Sequence, residues 1–343
     1  MKGCKKILLA FATLFAVSCK AQDLHFSQFF NSPLTTNPAN TGFIPDADYR
    51  IGANFRNQWS SLLAAPYKTV SLFGDAQVLR NKLENGWLGL GFVILSDEAG
   101  SGGLKSTKIY GSVAYHQLLG NNSLVTAGFN VGWANKRIDR TKLKFPDQFD
   151  GKFFDGSRSS QAYDALVNTN ISYFDLQAGV NYAYYPTDDI YINGGYSIMH
   201  VNKPQETFFT ERADSSRIPI RHVGFLNALL KVNERVIINP NMYYTNQAKA
   251  SAFVVGLNAN YNLSGAGGEK QLIAGVYYRA GDAVIPMVGF QYKNISFTFS
   301  YDATTSALAN FNNMNGAQEM SLIKKGFYNE SNGDTRHVIC PRF

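Results

Sequence analysis

The chain has 343 residues, of which 17% are charged and 14% aromatic, with a formal net charge of +7 and a mean hydropathy of −0.18. An average soluble domain is about 25% charged, so this composition suits a long strand-rich chain and excludes a helical membrane protein. The charge is no argument for a nucleic-acid partner, because much of it sits in the first residues.

The start, MKGCKKILLAFATLFAVSCKAQ, reads as a secretory leader spanning residues 1–21. Lys2, Lys5 and Lys6 form its basic region, and Ile7 to Val17 an apolar stretch too short to cross a bilayer as a helix. Cleavage after Ala21 competes with lipidation at Cys19 and is favoured over it, because Ala16 stands where a lipobox usually has Leu. Cleavage there removes four lysines and no acid, which brings the formal charge from +7 to +3. It also leaves Cys340 as the sole cysteine, so no internal disulfide is expected.

Residues 22–48 follow. Pro33 and Pro38, with Asn31, Asn37 and Asn40, rule out a regular strand or helix there. Phe26, Phe29, Phe30 and Phe43 are too many aromatics for a free tail; a periplasmic segment folding into the barrel mouth, or a plug, would bury them.

From Tyr49 onward, alternation of period two predicts strands over 49–57, 67–77, 86–96, 105–118, 123–136, 170–185, 189–199, 218–232, 235–246, 250–262, 270–280, 283–292, 294–302 and 317–325. Fourteen is an even number. Many of these strands exceed the five or six residues usual in soluble sheets and match a tilted bilayer crossing. The connections sort by side. The odd-numbered ones include WSSLLAAPY, SDEAGSGG, 138–169, 200–217 and 303–316; the even-numbered ones are mostly tight turns. Long loops on one side and short turns on the other are the pattern of an outer-membrane barrel, with the long side extracellular and both termini periplasmic.

The faces agree. In FVVGLNANYNL, Phe253, Val255, Leu257, Ala259, Tyr261 and Leu263 alternate with Val254, Gly256, Asn258, Asn260 and Asn262. Other strands repeat the pattern, with Gly, Asn, Ser or Thr on the second face and few charges, Arg279 and Asp302 among them. A water-facing exterior would carry many Lys and Glu, so the apolar face is assigned to lipid and the Asn face to the lumen. Trp87, Trp133, Tyr184 and Tyr243 are candidates for interface girdles. The expected fold is therefore an all-β antiparallel transmembrane barrel over residues 49–325, followed by a periplasmic tail over 326–343.

The five histidines lack ligand spacing with Cys or carboxylates. GSGG and GAGG lack the context of a phosphate loop, and no Gly-x-Ser-x-Gly elbow occurs. No catalytic, metal or cofactor site is expected. A general or small-solute porin and a soluble barrel for apolar ligands remain as alternatives.

The set QDLHFSQFFNSPLTTNPANTGF, YRIGANFRNQWSSLLAAPYKTVSLFGD, LKFPDQFDG, SYDATTSAL followed by GAQEMSLI, and the terminal CPRF resembles the PorP/SprF family of type IX secretion outer-membrane proteins. The resemblance implies a non-enzymatic barrel in secretion or gliding motility. Its expected partners are an exported, adhesin-like protein with a C-terminal sorting domain, periplasmic components of the type IX machinery and outer-membrane lipid. Partner-contact candidates are Arg56, Asn57 and Trp59 at the first long connection; Phe145, Pro146, Asp147 and Phe149 in the longest; and Cys340, Pro341 and Arg342 in the tail. For Arg56, Asn57 and Trp59, a structural corner is favoured over a contact site.

Overall fold

The computed structural model describes residues 25–328 apart from 81, 101–102, 159, 163–165, 167, 210–215 and 266–268. The leader, Cys19, and the tail candidates Cys340, Pro341 and Arg342 lie outside the described residues.

Fourteen antiparallel strands close into one barrel. They are β1 (Tyr49–Gln58), β2 (Tyr67–Val78), β3 (Gly86–Ala99), β4 (Leu104–Leu119), β5 (Ser123–Arg137), β6 (Asn170–Thr187) and β7 (Ile190–Met199). The second half comprises β8 (Arg221–Asn233), β9 (Val236–Gln247), β10 (Ala250–Asn262), β11 (Lys270–Arg279), β12 (Ala283–Tyr292), β13 (Ile295–Thr304) and β14 (Asn315–Gly326). Each strand pairs with its sequence neighbours, and β1 pairs with both β2 and β14, so no edge is left open.

The alternation places side chains as expected. Phe253, Val255, Leu257 and Tyr261 are exposed on the outer wall, while Val254 and Asn258 are buried inside. The outer band continues around the barrel through Ile51, Leu72, Phe92, Val113, Phe129, Val131, Leu226 and Val288. Trp133 and Tyr184 belong to it, but Trp87 and Tyr243 are buried in the lumen and cannot serve as girdle residues. Their parity decides this: Trp87 shares the inward phase of Val93, and Tyr243 that of Asn241 and Thr245.

Two boundaries differ instructively from the sequence reading. β8 starts at Arg221 rather than 218, because Pro219 has no N–H to give the ladder. β3 continues to Ala99, with Asp97 opposite Thr69 and Glu98 opposite Lys68 in register, so the connection read as SDEAGSGG shrinks to 100–103. The longest connections, 138–169, 200–220 and 305–314, all lie at one end of the barrel. The other end carries only the turns 79–85, 120–122, 188–189, 234–235, 263–269 and 293–294.

A barrel of fourteen strands is too wide for wall side chains alone to fill. Here residues 25–48 fill much of the space. They form a 3-10 turn at Phe29–Asn31, one helical turn at Pro33–Thr36 and another 3-10 turn at Pro38–Asn40. Pro33 and Pro38 each occupy the first turn of their short helix, where a missing N–H costs nothing. Rather than packing in one mouth, the segment runs through the barrel. Ser27 lies beside Asp302 and Arg279, near the long-connection ends of their strands. Asp46 and Asp48 meet Lys325 and Arg80 at the short-turn end, where the chain enters β1.

Candidate functional site in a plugged barrel

Ser27 and Gln28 are the upper anchor of the plug. The backbone N–H groups of both donate to the Glu319 carboxylate, at 2.9 and 2.8 Å. Arg56, from β1, donates to Glu319 (2.9 Å), Asp302 (2.9 Å) and Ser27 Oγ (2.6 Å). Arg279 donates to Asp302 (2.8 Å), Asp282 (2.8 Å) and Ser27 Oγ. Two guanidinium groups, two buried carboxylates and the plug thus form one network. Buried charges of this kind are tolerated only when paired and hydrogen-bonded. Arg56, a partner-contact candidate from its sequence context, is therefore an internal anchor.

Below the anchor, Phe29 stacks on Tyr243 at 4.9 Å and Phe30 on Tyr277 at 5.2 Å. Phe29 joins an apolar cluster of Met199, Val223, Phe225, Val254, Ile273, Ile285 and Met287, contributed by β7, β8, β10, β11 and β12. This cluster makes part of the lumen dry, although the inward face read in sequence as mainly small or polar.

On the opposite wall the plug backbone itself touches the strands. Gly128 and Gly179 are register partners on β5 and β6. A Cβ on Gly128 would lie 2.5 Å from the Pro38 carbonyl, and one on Gly179 would lie 1.9 Å from Asn37 Oδ1. Only glycine permits that approach. Further down, Thr41 O lies 2.7 Å from His116 Nε2, the Gly42 N–H donates to Asp75 at 2.8 Å, and Trp87 Nε1 donates to Gly42 O at 3.0 Å. His116 is stacked between Trp87 and Phe43.

The remaining candidates lie at the long-connection end. Trp59 adopts a left-handed backbone (φ 58°), donates its N–H to Gly316 O and packs edge-on to Tyr67. It thus turns the chain out of β1, next to Asn57. In 138–169, Pro146–Gln148 forms a 3-10 turn. The buried Gln148 side chain accepts from Phe145 N–H at 3.0 Å and donates to Arg158 O at 3.0 Å. Asp147 accepts from Gln161 N–H, and Phe149 packs on Phe154 at 5.4 Å. Asp150 and Asp155 accept hydrogen bonds from the following residues, which lower both carboxyls below their ordinary value: Phe153 and Lys152 N–H for Asp150, Ser157 hydroxyl and N–H for Asp155.

This folded loop still exposes Phe149, Phe153 and Phe154; Phe153 is 74% exposed. Phe209, Phe311 and Met314 are exposed on the other long connections. The sequence reading picked out Phe149 and LKFPDQFDG and put Arg279 and Asp302 on the inward face, but it missed Glu319 and the anchoring role of these charges, whose only signal was their place on an otherwise neutral face.

A closed barrel of long strands, with an apolar outer belt and a lumen occupied by its own chain, is an outer-membrane β-barrel. Among solved structures, the P. putida toluene transporter TodX is similar to it with a TM-score of 0.50 and 13% identity, covering 87% of this chain and 95% of that one. A Pseudomonas aeruginosa FadL homologue gives a TM-score of 0.51 at 10% identity, covering 85% and 93%. At these identities the likeness is one of fold. No curated protein matches. The family described as "Type IX secretion system membrane protein PorP/SprF" matches residues 18–323, and the chain belongs to that family.

Proposed function

We propose that this protein works by holding another protein at the outer membrane: an exported, adhesin-like partner with a C-terminal sorting domain, which it helps to secrete or to attach at the cell surface. In this reading residues 1–21 are a leader, the long connections face the exterior, and gliding motility is one process the attached partner would serve. The observation that carries it is the occupied lumen. Residues 25–48 fill much of the space a diffusing solute would need, and inward-facing wall residues hold them there. The long-connection end, by contrast, offers exposed Phe149, Phe153, Phe154, Phe209 and Phe311. Aromatics of this kind are enriched at protein interfaces. Periplasmic components of the type IX machinery would be met at the short-turn end.

Deletion of the gene tests this. Surface and medium levels of each sorting-domain protein are measured in the deletion strain. Loss or mislocalisation of one partner or a small set, with other secretion intact, is expected. Normal export and attachment of all of them, with reduced uptake of a small solute, would overturn the reading in favour of a porin.

A further inference from the structure

On the outer wall, β2 to β5 present three rows of side chains, each in register across neighbouring strands. Leu72, Ile94, Ile109 and Trp133 form an exposed apolar row. One outward position nearer the long connections, Ser96, Thr107 and Asn135 stand side by side on β3, β4 and β5. Asn135 Nδ2 also donates to Ser172 Oγ at 2.9 Å, which extends this polar row onto β6. One further position on, Lys68 stands opposite Glu98, Glu98 opposite Lys105, and Lys105 opposite Arg137. Alternation puts these four on the outer side: Thr69 and Lys108, of the other parity on their strands, are buried in the lumen.

Four residues of strand separate the apolar row from the charged one, as from Leu72 to Lys68. At about 3.4 Å per residue and a strand tilt of about 40°, the charges lie about 10 Å further out along the membrane normal. That is headgroup depth where the apolar row borders the hydrocarbon core. The charged row holds three cations and one acid. Glu98 pairs with Lys105 at 3.3 Å, and among the described residues neither Lys68 nor Arg137 has a carboxylate partner. Like charges directly opposite one another, as Lys105 and Arg137 are, destabilise a sheet, so a bound anion would offset a cost built into the wall. The feature is local. Among the described residues, none of the other ten strands carries an outward Lys or Arg at its long-connection end; Arg56, Arg221 and Arg279 there are buried in the lumen.

We infer that this face of β2 to β5 binds a phosphorylated glycolipid of the outer leaflet. Its phosphate would sit on Lys68, Lys105 and Arg137, its sugar hydroxyls on Ser96, Thr107 and Asn135, and its acyl chains on the apolar row. The order of the three rows along the wall is the order of the three parts of such a lipid. Arginine suits the phosphate end because its planar fork gives two parallel hydrogen bonds to one phosphate. Width favours a glycolipid over a glycerophospholipid: at the spacing of a sheet the cations span about 14 Å, more than one phosphodiester headgroup covers. The inference rests on the reading that the long connections face the exterior, and it adds a lipid contact to the protein partner proposed above.

The test isolates the full-length protein from its native membranes in mild detergent and weighs its lipid adducts by native mass spectrometry. The wild type is expected to carry a glycolipid that releases phosphate on fragmentation. Lys68→Gln, Lys105→Gln and Arg137→Gln together should cut that adduct at least about tenfold, since one cation near an anionic headgroup layer contributes about fivefold in affinity. Lys270→Gln with Lys324→Gln, outward cations at the short-turn end, should leave it unchanged. Heat-shifted gel mobility should be the same in all three proteins; if the triple variant does not fold, Arg137→Gln alone, on an exposed side chain, carries the comparison. An adduct that survives the substitutions, one lost equally in the short-turn pair, or a glycerophospholipid in its place would overturn the site. Phe153→Cys, probed on intact cells with a membrane-impermeant maleimide, checks the orientation separately. Labelling on intact cells without a row-dependent adduct overturns the site and leaves the orientation standing. Labelling only after the outer membrane is opened overturns the orientation, and the site with it.

Discussion

Leu257 and Asn258 are neighbours in sequence and face opposite media: Leu257 is 47% exposed on the outer wall, and Asn258 is 7% exposed in the lumen. A charge on the lipid side near the membrane midplane costs about 2–4 kcal/mol. Leu257→Arg should therefore reduce the folded, heat-shiftable fraction on semi-denaturing gels, and Asn258→Arg should do so less. The reverse order would put lipid on the wrong face. That alternation was legible in sequence because a period of two is local. The grip of Arg56 on Glu319 was not, since the two lie 263 residues apart and meet only when β1 pairs with β14. Likewise Gly128 and Gly179 were readable as small residues facing inward, but the reason, contact with Asn37 and Pro38, belongs to a segment far away in the chain.

At the level of elements, the strands were legible almost throughout, and the errors cluster where pairing rather than pattern decides an end. Ser96–Ala99 looks like loop by composition, yet it continues β3 because β2 and β4 offer partners for it. The 138–169 connection shows the opposite limit: its charges and aromatics suggested an ordered surface, but not the turn built on Gln148. Asp150 and Asp155 tie this loop together through hydrogen bonds to their ionised forms. Because those bonds lower both carboxyls, the order they confer is complete above the ordinary carboxylate range and is lost as pH falls through the lowered values. Hydrogen exchange of the Lys152, Phe153 and Ser157 amides, corrected for intrinsic rates, should be unchanged from neutral pH down to about 5 and should accelerate only below about 4. Acceleration between pH 7 and 5 would mean that other groups hold the loop.

At the scale of the whole molecule, the plug fills much of a barrel that is otherwise wide enough to conduct. In planar bilayers the wild-type protein should show little ion current. Arg56→Ala removes one partner from a buried ionic network, a change worth about 3–5 kcal/mol; Asp302 keeps Arg279, while Glu319 loses the guanidinium that pairs with it. Current should rise as the Ser27 end of the plug detaches. Unchanged current with a stable barrel would show that the apolar grip of Phe29 and Phe30 suffices.

The anchoring of Ser27 and Gln28 on Glu319 also constrains how the barrel is made. The first described residues are held by a carboxylate on the last strand, across sequence separations of 292 and 291. That strand is also the one that closes the seam against β1. While the ribbon is open, Ser27 and Gln28 have neither Glu319 nor the seam around them. Once it is shut, residues 25–48 can reach Glu319 only along the lumen from the short-turn end, where the chain enters β1. The anchor of Ser27 and Gln28 therefore forms late, with seam closure or after it, and contacts of such long range are slow to form. An assembly factor that keeps β1 and β14 apart would delay that anchor together with the seam.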